Sequence, residues 1–176
     1  MAIFDLKPPI FYLNMELPSL NDLKKELLSK EEKELVGLLL ELAKFNKDNK
    51  ALLYFKLYEQ HEPGLFLREA LAELQTAFMK GYSGNYHTAK KSAQSARRTL
   101  NKLLSFSKDK TTHVELLIAF CQSLREYGYL GFRHPVIENL YRQQLKKLEK
   151  VLGTLHEDVQ YDYQAVLEEL SVGFRW

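Results

Sequence analysis

The sequence predicts an all-α fold: an irregular bundle or short stack of seven to eight antiparallel helices with an extended N-terminal arm. Three observations carry that prediction. Apolar residues recur at spacings of three and four over segment after segment. No alternating apolar–polar run extends far enough to make a strand. The five prolines, Pro8, Pro9, Pro18, Pro63 and Pro135, all fall between the periodic segments rather than within them.

Residues 1–18, with Phe4, Phe11 and Tyr12, read as an extended arm lying in a groove of the body, and residues 19–176 as one helical domain. Ser19 with Asp22 three residues on starts a short helix through Leu28. Ser29 and Glu32 form a capping box ahead of a stripe of Leu35, Leu38, Leu39, Leu42 and Phe45. Asp48 caps a helix expected to bury Ala51, Tyr54, Phe55 and Tyr58. Pro63 suits the first turn of the next, whose stripe is Leu67, Ala70, Leu71, Leu74, Ala77 and Phe78, ending at Gly81. Asn85 caps a helix from Tyr86 to Phe106, and Thr111 or Thr112 opens one with Val114, Leu117, Ile118, Cys121 and Leu124 inward. A link rich in glycine and tyrosine, Tyr127 to Pro135, either lines a pocket or partner groove or, the favoured reading, packs its rings back onto the core. Two helices close the chain. One buries Ile137, Leu140, Tyr141, Leu145, Leu148 and Leu152; the other buries Val159, Tyr163, Val166, Leu167 and Leu170. Short connections make sequential helices antiparallel neighbours. No repeat near 34 or 40 residues recurs, which excludes a regular solenoid.

A chain of 176 residues with 45% hydrophobic and 27% charged content can bury its own core without disulfides or metals. Its one cysteine, Cys121, cannot bridge within the chain and sits in an apolar run, which suits the reducing cytoplasm as the expected location. Asp5, Pro8 and Pro9 interrupt the apolar start, so no signal peptide is expected, and no membrane association either.

Charge gives the chain its marked surface. Between Glu73 and Asp109 no acidic residue occurs, while Lys80, Lys90, Lys91, Arg97, Arg98, Lys102 and Lys108 do. The whole chain is only +2, so the remainder is net acidic. At about 100° per residue, Tyr86, Ala89, Ala93, Ala96, Leu100, Leu103 and Leu104 fall on one arc. Lys90, Lys91, Arg97, Arg98 and Lys102 share an outer flank, and the three alanines let a neighbouring helix approach closely. These five cations are the candidate binding residues, for anions or for a partner. The bland alternative is a solvated face, or one paired with the chain's own acids at Glu31, Glu32, Glu34 and Glu41 or at Glu157, Asp158, Asp162, Glu168 and Glu169.

Chemistry is sparse elsewhere. The five histidines form no HExxH or Glu-x-x-His pair, and no glycine-rich phosphate loop is present. His156, Asp158 and Asp162 read as a solvated helix start rather than a metal site. Cys121 reads as an inert core thiol. No catalytic residue, metal or cofactor is therefore expected, and the chain reads as a non-enzyme.

The segments Leu23-Lys24-Lys25-Glu26-Leu27 and Leu28-Ser29-Lys30-Glu31-Glu32, the Gly81-Tyr82 turn before Ala89-Lys90-Lys91, and the helix ending at Tyr127-Gly128 are short motifs. Together they resemble an uncharacterised family of small bacterial all-helical proteins, a domain of unknown function. That resemblance implies an all-α cytoplasmic protein and brings no functional residues. The function expected is a helical interaction module whose face from Lys90 to Lys102 meets an acidic protein surface or a second copy of the chain. The alternative is sequence-independent contact with nucleic-acid phosphates through the same face.

Overall fold

The computed structural model describes residues 16–81 and 84–174. Among these the fold is all-α, with eight α-helices, one 3-10 turn and no strand. The helices are α1 (Leu20–Leu28), α2 (Glu32–Phe45), α3 (Lys47–Tyr58), α4 (Leu65–Gly81), α5 (Tyr86–Phe106), α6 (Lys110–Glu126), α7 (Pro135–Leu152) and α8 (Glu157–Ser171). The 3-10 turn is Tyr129–Phe132. The expected arm lies outside the described residues except for 16–18, which are not helical. No helix is long and apolar enough to cross a membrane among the described residues. Contacts divide the chain into two units, Met1–Ala51 and Leu52–Trp176.

In the first unit, Ser19 caps α1 as expected, its hydroxyl accepting from the Asp22 N–H at 3.3 Å. The cap of α2 is not Ser29. That hydroxyl donates back to the Glu26 carbonyl at 2.7 Å, and the capping box is Glu31 with Glu34, whose carboxylate accepts from the Glu31 N–H at 3.1 Å. A serine that can close the preceding helix is lost to the next one. Neither α1 nor α2 has a buried residue, and the two helices scarcely touch. The stripe expected to be buried on α2 is uncovered: Leu35 is half-buried, whereas Leu38, Leu39, Leu42 and Phe45 are exposed.

Asn46 starts α3, its side-chain oxygen accepting from the Asn49 N–H at 2.7 Å, while Asp48 falls within the first turn. Of the side chains expected to be buried on α3, Phe55 is half-buried edge-on against Phe66, and Tyr54 and Tyr58 are exposed. With charges or amides at Lys47, Asp48, Asn49, Lys50 and Lys56, this helix has no sustained apolar face to bury.

The second unit is built around α6, which packs against α4, α5, α7, α8 and the 3-10 turn. Its stripe buries Val114, Leu117, Ile118, Cys121 and Leu124 as expected, and Leu116 and Phe120 as well. A helix covered from several sides needs more than one apolar stripe. The inward residues of α7 are all buried. On α8 only Leu170 is buried; Val159, Tyr163, Val166 and Leu167 are half-buried, because α8 lies at the edge of the bundle. Arg125 of α6 holds its end, donating to the carbonyls of Glu169 and Val172 at 3.0 Å each, and the buried Tyr141 hydroxyl donates to the Leu170 carbonyl at 2.8 Å. The link after α6 packs its rings inward as expected. Tyr129 is buried against Phe78, and Gly128 at φ 70° supplies the left-handed turn that starts the 3-10 segment.

Candidate functional site

The basic face is carried by α5, which begins where the sequence places it, with the Asn85 side chain accepting from the His87 N–H at 2.8 Å. One side of the helix is seated by Ala89, Ala93, Ala96, Leu100, Leu103 and Leu104, all buried, against α4 and α6. Ser92 is buried too, and its hydroxyl shares a 2.5 Å hydrogen bond with that of Tyr129, so a polar pair pins α5 to the 3-10 turn. Tyr86 departs from the expected arc. At the first position of the helix it is 46% exposed, and its ring stacks on His134 at 5.0 Å with the edge of Phe132 beyond. His134 is the cap of α7, its Nδ1 accepting from the Val136 N–H at 3.1 Å. The first turn of α5 therefore meets the first turn of α7 through an aromatic stack.

The five candidate cations do not share one environment. Lys90, Lys91 and Arg98 are exposed and make no ion pair among the described residues. Arg97 is half-buried, its Nε enclosed without a hydrogen-bond partner among those residues. Lys102 is half-buried, pairs with Glu73 of α4 at 3.1 Å and lies 5.9 Å above the Phe106 ring. Its acidic neighbour is thus the residue that bounds the acid-free stretch. On α8, Glu168 accepts from Gln164, the Asp158 carboxylate lies 3.3 Å from His156, and neither pairs with α5. Lys80 and Lys108 are exposed near the ends of α4 and α5.

Other reactive groups are committed to structure. Burial pushes the Cys121 thiol up to about 12, so little thiolate forms near neutrality. A groove of about 430 Å³ between α3 and the α5–α6 link is walled by Phe55, Phe66 and Phe106 and edged by Glu59 and Asp109. Both carboxylates there serve backbone ends. Glu59 accepts from the N–H groups of Gly64 and Phe66 at 2.9 and 2.7 Å, and Asp109 from the Thr112 N–H and hydroxyl at 2.6 and 2.7 Å. Partial burial works to raise the Asp109 carboxyl, but the hydrogen bonds from Thr112 and Thr111 outweigh it and hold that group below its ordinary value. The Tyr163 phenol is pushed up to about 12, first by burial and then by its hydrogen bond to the Glu115 carboxylate. No group of three histidine, cysteine, aspartate or glutamate side chains is placed to hold a metal among the described residues.

No protein-family model, curated protein or solved structure matches this chain. Its own residues alone carry the reading of the site.

Proposed function

We propose that this chain is a non-enzymatic interaction module whose α5 face docks an acidic protein surface. The observation that supports it is the state of Lys90, Lys91 and Arg98. They stand exposed and without an acid partner among the described residues, on a 21-residue helix held by its opposite face. Cations arrayed along one exposed flank of a helix set up a positive field that steers an acidic partner during approach. Lys102 is already satisfied by Glu73 and serves the fold. With Arg97 tucked against the body, the docking set reduces to three residues.

The test is binding of a fluorescent polyglutamate peptide to the full chain across a salt series. Binding at low salt that weakens as salt rises, and that is lost in Lys90→Glu/Lys91→Glu/Arg98→Glu while thermal unfolding stays put, supports the reading. Absence of binding at low salt, or indifference to the triple substitution, overturns it.

One feature favours a second reading, contact with single-stranded nucleic acid. The half-exposed Tyr86–His134 stack lies one helical turn before Lys90, and a base can stack on such a ring. Three cations meeting three phosphates of a single strand give a logarithmic salt slope of only about −2. A labelled oligonucleotide that binds more tightly than the peptide, and loses about tenfold in affinity on Tyr86→Ala, would select this reading instead.

A further inference from the structure

We infer that α2 is the seat of a homodimer, in which two copies of α2 pair antiparallel and each is flanked by the other copy's α1. The inference is independent of the α5 face. Around α2, Val36, Leu38, Leu39, Leu40, Leu42 and Phe45 are all exposed, from 42% at Leu38 to 84% at Phe45. At 100° per residue their arc, with Leu35 and Ala43, spans roughly 220°. One neighbouring helix covers much less than that, and a helix apolar over most of its circumference is a buried one. The chain's own α1 scarcely touches it.

Area, charge and supply select the occupant. Six such side chains expose on the order of 500 Å² of apolar surface at roughly 80 Å² each. Interfaces are about 60% apolar, so the whole contact comes to about 800 Å² per partner, the size of a stable protein–protein interface. The largest apolar patch on an ordinary monomer is about 300–600 Å², so α2 alone reaches the upper part of that range, and Leu20, Leu23 and Leu27 of α1 are exposed besides. The acids of α2 gather at its start, where Glu31, Glu32 and Glu34 outnumber Lys33, whereas Glu41 and Lys44 balance toward its end. An antiparallel pair keeps the two acidic starts apart and sets the helix dipoles in opposition, which is favourable. A parallel pair would set like against like. A second copy also brings what a 220° arc requires, an apolar α2 and a second striped helix, α1, directly before it in the chain.

The full chain is tested by sedimentation equilibrium over a range of concentrations. The expected result is a mass moving from 20.6 kDa toward about 41 kDa as concentration rises. Leu39→Lys/Leu42→Lys should hold the protein at the monomer mass, with the thermal transition of the α4–α8 body unchanged as the check on folding. Orientation is read from charge reversal. Lys44→Glu should weaken the dimer several-fold, and adding Glu32→Lys to the same chain should restore it, because only antiparallel pairing makes the two reversals complementary. A wild-type chain that stays monomeric at every concentration overturns the proposal, as does a dimer indifferent to the two lysines in the α2 stripe. A charge reversal without rescue overturns the antiparallel arrangement.

Discussion

Two amphipathic helices, α5 and α2, meet opposite fates in this molecule. Both show apolar residues at spacings of three and four, and both begin with a side chain that satisfies their first amides. Seven residues of α5 are buried; none of α2 is. The difference lies in the neighbours. α5 has α4 and α6 beside it, joined to it by short links, whereas α2 scarcely touches the helix before it. A stripe states that a face requires cover, and says nothing of where the cover comes from. On α5 the exposed remainder is a set of cations free to meet a partner; on α2 it is the apolar stripe itself.

The largest effect expected from breaking that contrast is in the core. Leu117→Ala, at a fully buried position on α6, should cost about 2–5 kcal/mol of stability in denaturant unfolding, from lost transfer energy and the cavity left behind. The chemically identical Leu39→Ala on α2 should leave the unfolding of the α4–α8 body within about 0.5 kcal/mol of wild type in dilute protein. Equal losses at the two positions would erase the distinction. Next comes Tyr141→Phe, which leaves the buried Leu170 carbonyl without its donor and should cost about 1–3 kcal/mol. It should also raise hydrogen exchange in the last turn of α8 before any other helix.

Cys121 gives a prediction in pH. Its thiol is held neutral in the folded chain, with a pKa near 12 in place of 9.0. The stability this contributes is complete below pH 9 and falls as pH rises from 9 toward 12, where an unfolded chain would ionise and the folded one does not. Urea midpoints should therefore drop over that range, and less steeply in Cys121→Ala. Thiol labelling at neutral pH should proceed at the rate of global opening. The smallest effect belongs to α2. A Cβ at Gly37 meets nothing within 4 Å, so Gly37→Ala should raise helicity in dilute protein by an amount worth about 0.5–1 kcal/mol.

What the sequence revealed and what it hid divide along local and distant interactions. The span of α5, its Asn85 cap, the alanine seat and the inward residues of α6 and α7 follow from periodicity and nearby caps, and the chain folds that way. The cap of α2 is hidden from spacing alone, because Ser29 has two backbone ends within reach and takes the carbonyl behind it. Of the candidate site, the cations and their shared flank were legible. Their sorting was not: Glu73 reaches Lys102 from another helix, and Tyr86 finds His134 across 48 residues of chain. The Ser92–Tyr129 bond likewise joins positions that no spacing rule links. The exposure of the α2 leucines was the least legible, since a covered leucine stripe and an exposed one are written in the same residues.

The contrast between the two helices is tested most directly by hydrogen exchange of the full chain at several protein concentrations. Amides of α5 and α6 should exchange slowly and at rates independent of concentration, while those of α2 should exchange fast in dilute protein and slow progressively as concentration rises. Strong protection of α2 at every concentration would mean its stripe is covered within a single chain. Fast exchange of α2 at every concentration would mean no second copy covers it. Either result contradicts the account.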